Sequence, residues 1–213
     1  MSTRSSAAQK VAHSTPAGAS VAHLTIPRSV VTDRGTWSMG LFIGTEATLF
    51  VCLFFSYYYL GHLAEVWPPE PPEWPLAVVM LGILASSSLV LGWGEACVRS
   101  GQNMAARLAI AGTILLGVSF LGVQTLEYRR HLLKLQPTTN AYGSLFYTIT
   151  GFHAAHVVLG LLMLLFVLGL PELGESSRPP HRPLHNAALY WHFVDVVWIV
   201  IVLLLYVLPN VGR

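Results

Sequence analysis

Five long apolar runs, separated by short polar or proline-rich stretches, dominate the chain. They extend from about Trp37 to Tyr59, Trp74 to Gly94, Met104 to Leu126, Tyr142 to Leu170 and Asn186 to Leu208. A hydrocarbon layer of about 30 Å takes about 20 helical residues to cross, and each run is long enough. A helix satisfies its backbone polar groups internally, which lipid requires of any spanning segment outside a closed barrel. The pattern therefore predicts an all-α polytopic membrane protein, a bundle of five transmembrane helices occupying residues 35–213. The fourth run is the longest and is expected to tilt or protrude. Residues 1–34 break the pattern. They are polar, rich in Ser, Ala and Thr, and are expected to form a disordered tail.

Composition agrees with the pattern. The chain is 54% hydrophobic and 10% charged, with mean hydropathy +0.58, whereas soluble domains carry roughly 25% charged residues. A net charge of +2 gives no reason to expect a nucleic-acid partner. Cys52 and Cys97 have no metal-ligand spacing and read as small hydrophobes. The N-terminal tail has no apolar core and so is not a secretory signal. Its basic, Ser-rich character overlaps that of a mitochondrial transit peptide, but a cytoplasmic tail is the preferred reading.

The connections add detail. The turn Trp67-Pro68-Pro69-Glu70-Pro71-Pro72-Glu73-Trp74 reads as a rigid interfacial turn, because proline ends helices and tryptophan favours the headgroup layer. The linker from Pro171 to His185 carries Pro179, Pro180 and Pro183. If the N-terminus is cytoplasmic, Arg4, Lys10, Arg28, Arg34, Arg99, Arg107, Arg178 and Arg182 fall inside. Arg129, Arg130, Lys134 and Arg213 then fall outside. The positive-inside rule favours that orientation, with the C-terminus outside.

Several polar side chains lie within the apolar runs, where a charge costs at least a few kcal/mol. Glu46 is surrounded in sequence by Phe42, Ile43, Leu49 and Phe50. It reads either as a carboxyl linked to proton uptake or lipid and subunit contact, or as a hydrogen-bonded carboxyl without chemistry. Gly40, Gly44 and Ala47 form a stripe that lets another backbone approach. His153 and His156 share a helix face, as do His192 and Asp195. Together the four could ligate a metal or a heme, or form a polar seam joining the fourth and fifth helices, which is the preferred reading. Trp191 and Trp198, two turns apart, read as packing or interfacial aromatics, with Trp67 as another. Gln124, Glu127 and Tyr128 read as a polar cap at the end of the third helix. No nucleophile–base pair, phosphate loop or dinucleotide fingerprint occurs.

Six stretches carry a resemblance. They are Trp37–Glu46 (WSMGLFIGTE), Trp67-Pro68-Pro69, Glu127-Tyr128, Ala141–Ser144 (AYGS), Thr150–Val157 (TGFHAAHV) and Tyr190–Trp198 (YWHFVDVVW). In this order they resemble subunit III of the heme-copper oxidases, most closely the cytochrome c oxidase branch. The resemblance implies a subunit without heme or copper, those groups being held by partner subunits. It further implies packing on subunit I in a complex that also contains subunit II, bound phospholipid, and support of proton uptake and stability while the complex reduces dioxygen and pumps protons. Glu46 would be the family's intramembrane carboxyl, while His153, His156, His192 and Asp195 would not be metal ligands. Long family members have seven helices, and this chain matches the last five. The short form points to a bacterial plasma membrane. An equivalent subunit of a quinol oxidase or nitric oxide reductase complex is the alternative.

Overall fold

The computed structural model describes residues 28–65, 67–68, 74–131, 138, 140–170 and 181–211. Among these, every regular element is helical: α1 Arg28–Leu63, α2 Trp74–Arg99, α3 Asn103–His131, α4 Ala141–Gly169 and α5 His181–Ile201. A π-helical segment, Val202–Val207, and a short α6, Leu208–Val211, follow. Five helices are long and apolar enough to cross a membrane, as the hydrophobic pattern predicts. α1 begins at Arg28, well before Trp37 and inside the stretch expected as tail. Hydropathy marks where lipid would lie, whereas adding residues to an existing helix costs little, so the helix runs past its apolar segment. Residues 1–27 lie outside the described residues, as do 69–73 of the proline-rich turn and 171–180 of the last linker.

α5 is the axle of the bundle. It packs on α4, α2 and α1, and 50% of its most apolar window is buried, against 6% for α1. The difference follows from side-chain placement. One side of α5 carries Tyr190, Trp191, Val194, Trp198 and Ile201, all buried, at the three- and four-residue steps that keep side chains on one helical face. α1 instead exposes Leu41, Val51, Phe55 and Tyr59. α2 and α3 form the most extensive pair. Their close approach occurs where an added Cβ on Gly94 would lie 2.9 Å from Ala109. The stripe on α1 behaves differently, since within the chain no atom lies within 4 Å of a Cβ built on Gly40 or Gly44.

The helix ends are closed by side chains. Asn140 caps α4, its Oδ1 accepting from the Gly143 amide at 2.7 Å. Arg107 reaches from α3 to the other end of α4, where it donates to the carbonyls of Leu168 and Leu170 at 3.3 and 3.0 Å. Such groups satisfy backbone atoms that the helix itself leaves open. Asn140→Ala is expected to lower stability by about 1 kcal/mol, the usual cost of losing an N-cap. Thermal unfolding of the purified variant checks this, and an unchanged midpoint would mean that water or a neighbour replaces the cap.

Candidate functional site

The polar residues form separate bridges within the bundle, set at different heights. At one end, α2 meets α5 through Glu95 Oε1 and His185 Nδ1, 3.1 Å apart. At the opposite end, Tyr206 donates to Glu127 Oε1 at 3.0 Å, and Tyr128 donates to Thr150 Oγ1 at 2.7 Å. Glu127 is only 1% exposed, so the cap expected at the end of α3 is an internal strut. Trp67 lies at this end too. Its ring packs 5.3 Å from that of Tyr57 and 5.2 Å from that of Tyr142, beside Gly61 and next to the cis Trp67–Pro68 bond.

Between the two ends lie the groups singled out from the sequence. His156 on α4 meets Glu46 on α1, Nε2 to Oε2, at 2.9 Å. On the other side of α5, Ser88 of α2 bonds to both polar residues of the YWHFVDVVW stretch. Its hydroxyl donates to Asp195 Oδ2 and lies 2.9 Å from His192 Nδ1. A hydroxyl has one proton to give, so with Asp195 as its acceptor it accepts from His192 Nδ1–H. His153 is fully buried in an aromatic slot, stacked on Trp198 at 4.9 Å and edge-on to Phe120 at 5.7 Å. Its ring nitrogens have no hydrogen-bond partner among the described residues.

These positions correct the expected seam. His153, His156, His192 and Asp195 do not bond one another across α4 and α5. Two bridges replace the single seam: His156 ties α4 to α1, and His192 with Asp195 ties α5 to α2. Only the stacking of His153 on Trp198 joins α4 to α5 in this set. The reason is the central place of α5, whose His192–Asp195 face turns to α2 while its Trp face turns to α3 and α4. Trp191 and Trp198 likewise depart from the interfacial reading, since both are 0% exposed. Trp191 donates to Ser87 Oγ at 2.9 Å. It is gripped by two glycines, because a Cβ on Gly117 or Gly160 would lie 2.7 or 2.8 Å from its ring.

The partners Ser87, Ser88, Thr150, Tyr206 and Gly117 went unnoticed in the sequence. The run Ser86-Ser87-Ser88 within an apolar segment was the available signal, since successive hydroxyls on a helix point in different directions.

This arrangement can hold shape and can hold protons. It does not converge on a metal, and no group of three or more His, Cys, Asp or Glu among the described residues is placed to bind one. His156 has both ring nitrogens engaged, by the Phe152 carbonyl and Glu46. His192 turns its Nδ1 to Ser88, and aromatic rings wall in His153.

Comparison with known proteins agrees with this architecture. A family model for cytochrome c oxidase subunit III matches residues 22–209. Cytochrome c oxidase subunit 3 of Synechocystis is 41% identical over 180 residues, covering 83% of this chain and 76% of that protein. The Thermostichus vulcanus protein of that name is 36% identical over 173 residues, covering 80% and 85%. The one from Triticum aestivum is 32% identical over 176 residues, covering 78% and 65%. With five membrane-type helices in place and its imidazoles turned to separate partners, the chain belongs to the cytochrome c oxidase subunit III family, the non-redox subunit of the heme-copper oxidases.

Proposed function

We propose that this chain packs on subunit I in a complex with subunit II, holds membrane phospholipid, and sustains proton uptake and stability during oxygen reduction. Heme and copper reside in those partner subunits. The observation that carries this reading is the unequal burial of the helices. The most apolar window of α1 is 6% buried, while those of α2 to α5 range from 28 to 50%. A rigid four-helix core thus carries an outer helix whose apolar surface is left to lipid and neighbouring subunits. A cavity of about 380 Å³ between α1, α4 and α5, lined by Met39, Leu162, Met163, Phe166 and Ala187, suits an acyl chain.

Glu46, with a side chain 22% exposed, is the carboxyl through which the chain touches proton uptake or lipid. His153, His156, His192 and Asp195 hold the bundle's shape, as do Trp67, Glu127, Tyr128, Trp191 and Trp198. The chain lies in a bacterial plasma membrane with a cytoplasmic polar tail and an external C-terminus, a placement supported by eight inner against four outer Lys and Arg. Labelling of single cysteines at each terminus in intact and opened cells tests it.

Affinity purification through a tag on this chain tests the assembly. Oxidase subunits with their heme spectrum are expected to copurify, while the chain alone shows no heme band. Stoichiometric heme or copper in the separated chain would overturn the reading. Glu46→Gln is expected to leave assembly intact and oxygen reduction present. Any fall in proton uptake or turnover lifetime should stay well below the ~10²-fold typical of losing a general acid or base. Complete loss of oxygen reduction in an assembled complex would make Glu46 catalytic.

A further inference from the structure

The Glu46–His156 bridge has a proton count that its geometry fixes. His156 Nδ1 lies 2.7 Å from the carbonyl oxygen of Phe152. A carbonyl oxygen only accepts, so Nδ1 carries a hydrogen. A neutral His156 therefore presents a bare lone pair at Nε2. The 2.9 Å contact with Glu46 Oε2 then closes only if the carboxyl is protonated and donates. A cationic His156 instead donates from Nε2 to a Glu46 carboxylate. Both arrangements place one proton between the carboxyl and Nε2, and both are neutral overall.

Other proton counts are penalised. Without that proton, a carboxylate faces an imidazole lone pair, and a net negative charge lies within an apolar layer. A second proton leaves a net positive charge there. Both isolated charges are costly in a low-dielectric setting. The surroundings offer little compensation. The Phe50 ring covers His156 edge-on at 5.0 Å. The titratable neighbours are Tyr190 from α5, beside Glu46, and His153 from α4, beside His156. α1 packs chiefly on α4 and α5, with 6% of its most apolar window buried, so a single polar contact weighs heavily in its attachment.

We propose that Glu46 and His156 bind one proton as a pair, and that this proton fastens α1 to α4. The proposal deepens the assignment of Glu46 made above by adding His156 as the second holder of the proton. It also makes the outer helix the proton-responsive edge of the subunit. Raising the pH removes the shared proton and loosens α1. Glu46→Gln substitutes a permanent donor, since its carboxamide N–H can reach the Nε2 lone pair of neutral His156. That variant keeps α1 fastened at every pH.

The test uses the assembled complex, with spin labels at Val51→Cys on α1 and Leu159→Cys on α4, both exposed, after replacing Cys52 and Cys97 by serine. Pulsed dipolar distances are measured across a pH series. The parent complex is expected to gain a longer-distance population at alkaline pH, its ratio to the short one rising about tenfold or more, as loss of a charge-assisted hydrogen bond implies. Glu46→Gln should show only the short population throughout. A pH-independent distance in the parent, or the same alkaline opening in Glu46→Gln, would overturn the proposal. The parent and Glu46→Gln suffice for this decision, so a Glu46→Ala protein that fails to assemble does not matter. Oxygen uptake by the same samples tests the proton-uptake reading separately. Loss of activity with distances behaving as described would sink that reading and leave the shared proton standing.

Discussion

Trp191→Ala is expected to cost about 3–5 kcal/mol, the largest effect of any single substitution considered. The indole is 0% exposed and is held from three sides: Ser87 accepts its N–H from α2, while Gly117 of α3 and Gly160 of α4 leave the space for its ring. Truncation removes apolar contact with three helices at once and leaves a cavity that the bundle can only partly close. The same contact can be attacked from the other side. A methyl group on Gly160 would lie 2.8 Å from the ring, and a packed interior resists such intrusion at about 1–3 kcal/mol. Thermal unfolding of the purified complex, followed through this subunit, should therefore rank the parent above Gly160→Ala and Gly160→Ala above Trp191→Ala. Equal midpoints for all three would mean that lipid or a partner subunit, and not this clasp, holds the core together.

Ser88→Ala is expected to cost about 1–3 kcal/mol, much for the loss of one oxygen, because it strands two groups together. Ser88 is the only side chain recorded as bonding to either His192 or Asp195, and Asp195 is only 9% exposed. Losing the hydroxyl leaves a carboxyl and an imidazole without a shared partner between α2 and α5. Ser88→Thr keeps the oxygen and should recover much of the loss, whereas Ser86→Ala should be nearly silent, since Ser86 bonds only to the Gly82 carbonyl of its own helix. Equal yield and equal unfolding temperature for Ser88→Ala and Ser86→Ala would show that the α2–α5 bridge adds nothing.

The number and type of helices could be read from the sequence because lipid demands long uninterrupted apolar runs, and nothing else in a chain resembles them. Helix ends were less legible. α1 continues back to Arg28 and α5 starts at His181, both outside the apolar stretches, since backbone hydrogen bonding need not stop where hydropathy does. Which polar residues mattered was also visible: Glu46, His156, His192 and Asp195 stand out against their neighbours, and the structure engages each of them. Their partners were not visible. Residues three apart on one helix share a face, and this suggested that the pairs on α4 and α5 meet. The outcome depended on how each helix rotates about its axis, which is set by packing across the whole bundle. Ser88 could not be told from Ser86 and Ser87 by spacing or by type. Trp191 gave no sign that it faced inward, because an apolar run meets lipid and protein with the same residues.

The π-helical turn of α5 bears on chain length. Two turns of an α-helix take about seven residues, the step from Trp191 to Trp198. The next step, from Trp198 to Tyr206, is one residue longer, yet Tyr206 still lies beside Trp198, ring centres 6.5 Å apart, and reaches Glu127. The widened turn at Val202–Val207 absorbs the extra residue. Removing one residue there would restore regular α pairing and swing Tyr206 by about 100° away from its carboxyl. The end of this helix should thus accept many exchanges of side chain but few changes of count, so that insertions and deletions, more than substitutions, set the limits of its divergence.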